Sequence, residues 1–273
     1  MSRFRDVKNV SVFGTPWTGV QEINFPPESE SFDYSADDNV DLRRVDVTKQ
    51  SFAVTISVQD PNHQRDIKDP LFAPGSNQIA LNEVLSISMS ESADEMPDSS
   101  EDDQWLTYIG VTKIVCEAEV ELRDINQILT EATLKLGDKD TLQFDSLYGA
   151  LLTGLADAAI YERFFIRNAV IVGINPTLTH GDLGSGSISF RGHGDSTYLA
   201  KIYNTLSAGG NSGFEKNCGN SGEIIFDAPS TAGSGGDVRA TISNAVLTRA
   251  EIRATHGGRL ERNFTFRAYS SDG

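Results

Sequence analysis

Apolar and polar side chains alternate along much of this chain. Phe52, Val54, Ile56 and Val58 interleave with Ser51, Ala53, Thr55 and Ser57. Ile114, Cys116, Ala118, Val120 and Leu122 interleave with Val115, Glu117, Glu119 and Glu121, and Val238, Ala240 and Ile242 repeat the pattern. A period of two belongs to a strand with one buried face. The chain is therefore expected to be mainly β, an antiparallel sandwich or barrel. Three segments with helical spacing predict one to three short helices. Asp195 can cap a segment in which Tyr198, Leu199, Ile202, Tyr203 and Leu206 share one face. Asp124 can open another that carries Ile125, Ile128, Leu129 and Ala132. A third runs from about Asp145 to Phe164 through Leu147, Leu151, Leu152, Leu155 and Ala159, with Gly149 and Gly154 weakening it.

Between these elements, residues 24–44, 59–80 and 91–103 read as long polar loops. The last contains seven acids, among them Glu91, Asp94, Glu95 and Asp98, and composition predicts it to be solvated and mobile. Residues 207–237 hold eight of the 24 glycines and read as a flexible insertion or a pair of tight turns. One repeat stands out. Residues 168–194 and 244–270 align without gaps at 8 identities in 27 positions, including Asn168/Asn244, His180/His256, Phe190/Phe266 and Arg191/Arg267. Each copy reads as strand, His-Gly turn and second strand, which is a β-hairpin. The domain organisation expected is one β domain over 1–273, with an inserted or duplicated part at about 124–237.

Composition narrows the function. A hydrophobic fraction of 38% with 23% charged residues fits a folded globular chain. No apolar run approaches the ~20 residues of a spanning helix, so no membrane partner is expected. Cys116 and Cys218 lack metal-ligand or CxxC spacing and read as reduced structural thiols. A net charge of −16 opposes tight binding of phosphate backbones. It suits either plain solubility or a surface past which a polyanion slides. Glu117, Glu119 and Glu121 share one strand face and are the candidates for such an acidic wall. Catalytic signals are weak. Cys218-Gly219-Asn220-Ser221-Gly222 is similar to the turn around a serine-protease nucleophile, but the related Gly210-Asn211-Ser212-Gly213 argues for two glycine-rich turns. No phosphate loop or calcium loop is present, so neither cofactor nor metal is expected and the chain reads as non-enzymatic.

The C-terminal hairpin carries a resemblance to a family. Asn244-Ala245-Val246-Leu247, the Gly257-Gly258 turn and the closing Asn263-Phe264-Thr265-Phe266-Arg267-Ala268-Tyr269 strand resemble the ends of bacteriophage tail tube (major tail) proteins. The strand at 51–58 and the long segment 24–44 fit the same likeness. The resemblance implies two packed antiparallel sheets, rings that are typically hexameric, stacking into a tube, and an acidic lumen through which genomic DNA passes without specific binding. It places the chain in the virion tail, assembled in the host cytoplasm beside other tail proteins. The inter-subunit loops implied carry Glu28, Glu30, Asp37, Asp38, Asp94, Glu95 and Asp98. The chain is longer than simple tube subunits, which bears on ring number. A capsid decoration protein, or a distal tail or baseplate component, is the competing class, with a serine hydrolase behind it.

Overall fold

A computed structural model describes residues 7–35, 42–59, 65–73, 78–98, 106–123, 134–148, 160–178, 180, 184–194, 197, 199, 201–206, 217–228 and 237–269. Among them it contains sixteen strands: β1 (Lys8–Val12), β2 (Thr15–Pro16), β3 (Val20–Asn24), β4 (Pro27–Ser35), β5 (Leu42–Gln59), β6 (Arg65–Phe72), β7 (Ile79–Ala80), β8 (Val84–Asp98), β9 (Tyr108–Leu122), β10 (Lys139–Tyr148), β11 (Ile160–Thr177), β12 (Ser185–Gly192), β13 (Ile202–Leu206), β14 (Ser221–Ala228), β15 (Val238–Thr255) and β16 (Glu261–Ala268). All pair antiparallel in one branched sheet of order β2-β1-β14-β15-β8-β9-β12-β11-β10-β6-β7, with β16, β5, β3 and β4 branching from β15 and β13 from β11.

No helix occurs among the described residues. The segment capped by Asp195 ends in strand β13, which contains Ile202, Tyr203 and Leu206. The segment from Asp145 to Phe164 begins in β10 and ends in β11. In both places the chain pairs with β11, and those ladder bonds override a local 3.6 spacing. The segment opened by Asp124 lies outside the described residues.

The expected repeat is present and is far larger than its sequence signal. In β11–β12 the partners are Ala169↔Gly192, Val170↔Arg191, Ile171↔Phe190 and Gly173↔Ser189. In β15–β16 they are Ala245↔Ala268, Val246↔Arg267, Leu247↔Phe266 and Arg249↔Thr265, with the bulge at the same step. The equivalence continues outward. Asp145↔Arg163 of β10–β11 matches Asp227↔Arg239 of β14–β15. Phe72↔Leu142 matches Val12↔Ile224, Val84↔Leu122 matches Val20↔Val58, and Ile188↔Val120 matches Phe264↔Ile56. Turns agree as well. Gly137 (φ 90°) and Gly219 (φ 88°) both need the left-handed region, and their amides donate to Ile171 O at 2.9 Å and Leu247 O at 2.8 Å. The molecule is thus two copies of one unit. The second copy, β6–β12, is continuous in the chain. The first is β1–β5 plus β14–β16, so the second sits inserted between β5 and β14.

Each copy folds its part of the sheet into two facing layers, because one 18-residue strand serves both. In the second copy β11 pairs with β10 over 160–170 and with β12 over 169–177. Phe72 on β6 meets Phe190 on β12 across the gap, ring centres 5.4 Å apart. In the first copy Trp17 meets Phe264 at 4.6 Å. The two cores use equivalent positions: Ala118, Val120, Leu122, Phe144, Ile171 and Phe190 in one, Val54, Ile56, Val58, Phe226, Leu247 and Phe266 in the other. Arg262 lies buried between them with its guanidinium 5.7 Å from the Phe164 ring.

Asn168 (φ 51°) and Asn244 (φ 53°) open the repeated hairpins in the left-handed region, which Asn tolerates better than other residues bearing a Cβ. Asn244→Val is expected to lower unfolding stability by about 1–2 kcal/mol, while Asn244→Gly holds it to within about 0.5 kcal/mol, read by urea titration.

Candidate functional site

The acidic stripe lies on β9, between β8 and β12 of the sheet. β9 carries Glu117, Glu119 and Glu121 outward and buries Cys116, Ala118, Val120 and Leu122, as strand alternation requires. On one side β8 sets Ser90, Ser88 and Ser86 opposite them. On the other, β12 sets Arg191, Ser189 and Ser187 opposite them. Beyond β8, β15 adds Glu251 opposite Ser90 and Arg253 opposite Ser88. Polar rows therefore run unbroken across four strands, and β8–β15 is the junction between the two copies.

The stripe is braced. Ser86 Oγ donates to Glu121 Oε2 at 2.6 Å. Arg191 donates from Nε at 3.0 Å and from its terminal nitrogen at 2.6 Å to Glu117 Oε1. Exposed pairs of this kind contribute little stability, so their effect here is to orient the carboxylates. Shallow grooves of about 250 Å³ and 240 Å³ lie on either side of Glu119. They are lined mostly by serines and carboxylates, so the face offers hydrogen bonding and negative charge. The first copy has Ala53, Thr55 and Ser57 at the positions of the three glutamates. The stripe belongs to one copy only.

The acids expected on loops lie instead on paired strands. Glu28 and Glu30 are on β4, and Asp94, Glu95 and Asp98 are on β8. β4 and β5 form one hairpin arm, and the ends of β8 and β9 form its counterpart. Local composition had suggested loops, but partners 10–23 residues further along the chain supply the ladder. Asp37 and Asp38 lie outside the described residues. The two arms are tied together: Arg267 reaches Glu28 at 3.2 Å and Glu95 at 3.5 Å. Lys49 meets Glu30 at 2.9 Å.

A residue placed in the solvated run proves to be buried. Glu91 is on β8 at the junction of the copies, 1% exposed. Its Oε1 accepts from Cys218 N at 2.7 Å, and its Oε2 accepts from Ile202 N at 3.0 Å and Asn217 Nδ2 at 3.1 Å. The carboxylate thus joins β8 of the second copy to the turn before β14 of the first and to β13. The signal was parity: Ile87, Met89 and Glu91 share the inner face of one strand. Both thiols neighbour this charge. Burial, and then the Glu91 carboxylate, push Cys116 well above the ordinary thiol range. The same causes push Cys218 up to about 12. Ser221 opens β14 opposite Val246, and the glycine turn before it is the counterpart of the one at Gly137, so this motif has an architectural role.

Glu91→Gln is expected to cost about 2–3 kcal/mol by urea titration, because its amide nitrogen must face a buried N–H donor. Neither thiol of the native protein is expected to react with iodoacetamide at pH 8, and both should react in urea, as mass spectrometry would record. Comparisons with family models, with curated proteins and with solved structures returned no match to this chain.

Proposed function

We propose that this protein is a non-enzymatic structural subunit that assembles with copies of itself into stacked rings, as the tail tube of a bacteriophage does. One observation carries the reading. Two equivalent copies are joined edge to edge into a single sheet, and one face of that sheet stays polar across the join. Neighbours in a ring meet in this manner when their sheets line a common bore. The resemblance of the C-terminal hairpin to tube subunits supports the same conclusion. With two copies in each chain, the six-fold ring typical of that family takes three chains. Other tail proteins and the genome in transit are then its partners, and the virion tail is its location.

On this reading the face bearing Glu117, Glu119 and Glu121 lines the lumen. Each charge is screened within about 8 Å at physiological salt. Repeated around a narrow low-dielectric bore, the stripes add to a field that keeps DNA off the wall. Because only one copy bears the stripe, acidic sectors alternate with neutral ones. The hairpin arms carry acids of β4 and β8 that face solvent, and these suit contact between stacked rings. A capsid decoration protein would instead appear as isolated trimers or monomers that bind a shell.

Electron microscopy of the purified protein should show rings or tubes; dispersed particles at every concentration would sink the tube reading. Replacing all three glutamates with lysine should leave the β-sheet circular dichroism unchanged while making the assemblies retain added DNA in a salt-dependent manner. Assemblies that still exclude DNA would move the stripe off the lumen.

A further inference from the structure

We infer that the free edge of β11 in one chain pairs with the free edge of β3–β4 in the next, in the register that already joins the two copies inside the chain. The inference deepens the tube reading and rests on the self-association proposed there. Inside the chain, the end of β15 in the first copy pairs with β8 of the second: Ile252↔Met89, Arg253↔Ser88 and Ala254↔Ile87. The counterpart of β15 is β11, and the counterpart of β8 is β3–β4. Among the described residues, β11 beyond Ile171 pairs on its β12 side alone, and β3 and β4 pair only with β5. Each chain thus presents both halves of this junction, unused and at opposite ends. Carried across by the internal equivalence, the junction sets Pro176 opposite Phe25, Thr177 opposite Asn24 and Leu178 opposite Ile23.

Burial points to the same edges. Within the chain the junction covers Met89 (0% exposed), Ile252 (8%) and Ala254 (4%). Their counterparts at the free edges stand in solvent: Phe25 at 45% and Leu178 at 73%, with Pro176 also exposed. The polar contact at the inner junction has an apolar counterpart too. Glu91 corresponds to Pro27, and Cys218, whose amide it accepts, corresponds to Leu136, which is 65% exposed. A buried carboxylate suits a permanent junction within one chain. An apolar pair suits a contact made after folding, because burying it leaves no charge to desolvate.

The prolines set the strength of the pairing. His256 N donates to Leu85 O at 3.0 Å, which puts the ladder bonds at Ala254/Ile87, Ile252/Met89 and Ala250/Glu91. At the free edges the equivalent positions include Pro176 and Pro27, which cannot donate. The intermolecular ladder is therefore thinner than the internal one, and a proline-bearing edge resists pairing with unrelated strands. Since the two edges differ, the contact is head to tail, and it propagates until a ring closes.

Asn24→Cys and Thr177→Cys, combined in one chain, test this. The two positions form a pair without ladder bonds, where side chains approach closest, and both native thiols are buried. Mild oxidation during assembly should give a ladder of covalent multimers on a non-reducing gel, while either single variant stays monomeric. Leu178→Asp should leave the urea midpoint unchanged and weaken self-association about tenfold or more, since an unpaired carboxylate is costly to bury. Rings or tubes that form without cross-links in the double variant would overturn this pairing and leave the tube reading standing. A chain that neither cross-links nor assembles at any concentration would overturn both. Multimers from Asn24→Cys alone would indicate symmetric pairing and overturn the head-to-tail contact.

Discussion

The backbone pairing of β15 with β8 is the constraint on which the rest of the molecule depends. It is the strand pairing in the described sheet that joins the two copies, and it extends one sheet across both. Because side chains alternate strictly along a strand, its register decides which residues of both copies face outward. The polar rows from β15 through β12 follow directly. A slip of one residue would turn the glutamates of β9 inward relative to their neighbours and bring apolar residues to the surface.

Duplication by insertion explains how such a pairing became permanent. The second copy enters the chain where the first joins β5 to β14. Only modest entropy is needed to hold the copies together, since loop closure grows slowly with length. Once joined, the copies could diverge at positions that the core does not constrain. The core itself changed by conservative steps, such as Val120 against Ile56 and Ile188 against Phe264. The outward face changed freely, from Glu117, Glu119 and Glu121 in one copy to Ala53, Thr55 and Ser57 in the other.

Glu91 shows what the junction demands. A buried carboxylate is costly unless donors replace its water, and here two backbone amides and one side-chain amide do so. These donors come from β13 and the turn before β14, outside the copy that holds Glu91. The arrangement forms only when both copies are folded and docked in one register, so the carboxylate favours the correct junction over slipped ones.

By itself the sequence determined the element type and the repeated hairpin. Period-two alternation on 51–58 and 114–122 reports local geometry, and the matched Asn-Ala-Val and Phe-Arg steps report a shared backbone path. The stripe on β9 was legible for the same reason, because alternation places its three acids together. The tertiary structure alone decided the rest. The segments bearing Glu28 and Asp94 became strands because distant partners satisfy their backbones, and residues 202–206 became β13 because β11 was there to pair with. The full extent of the duplication was likewise hidden. Between β6–β9 and β1–β5 the copies share register and core positions but little residue identity, since a core constrains size and polarity more than chemistry. Burial of Glu91 also depended on the fold, because a charge becomes affordable in a core only where donors from other strands converge on it.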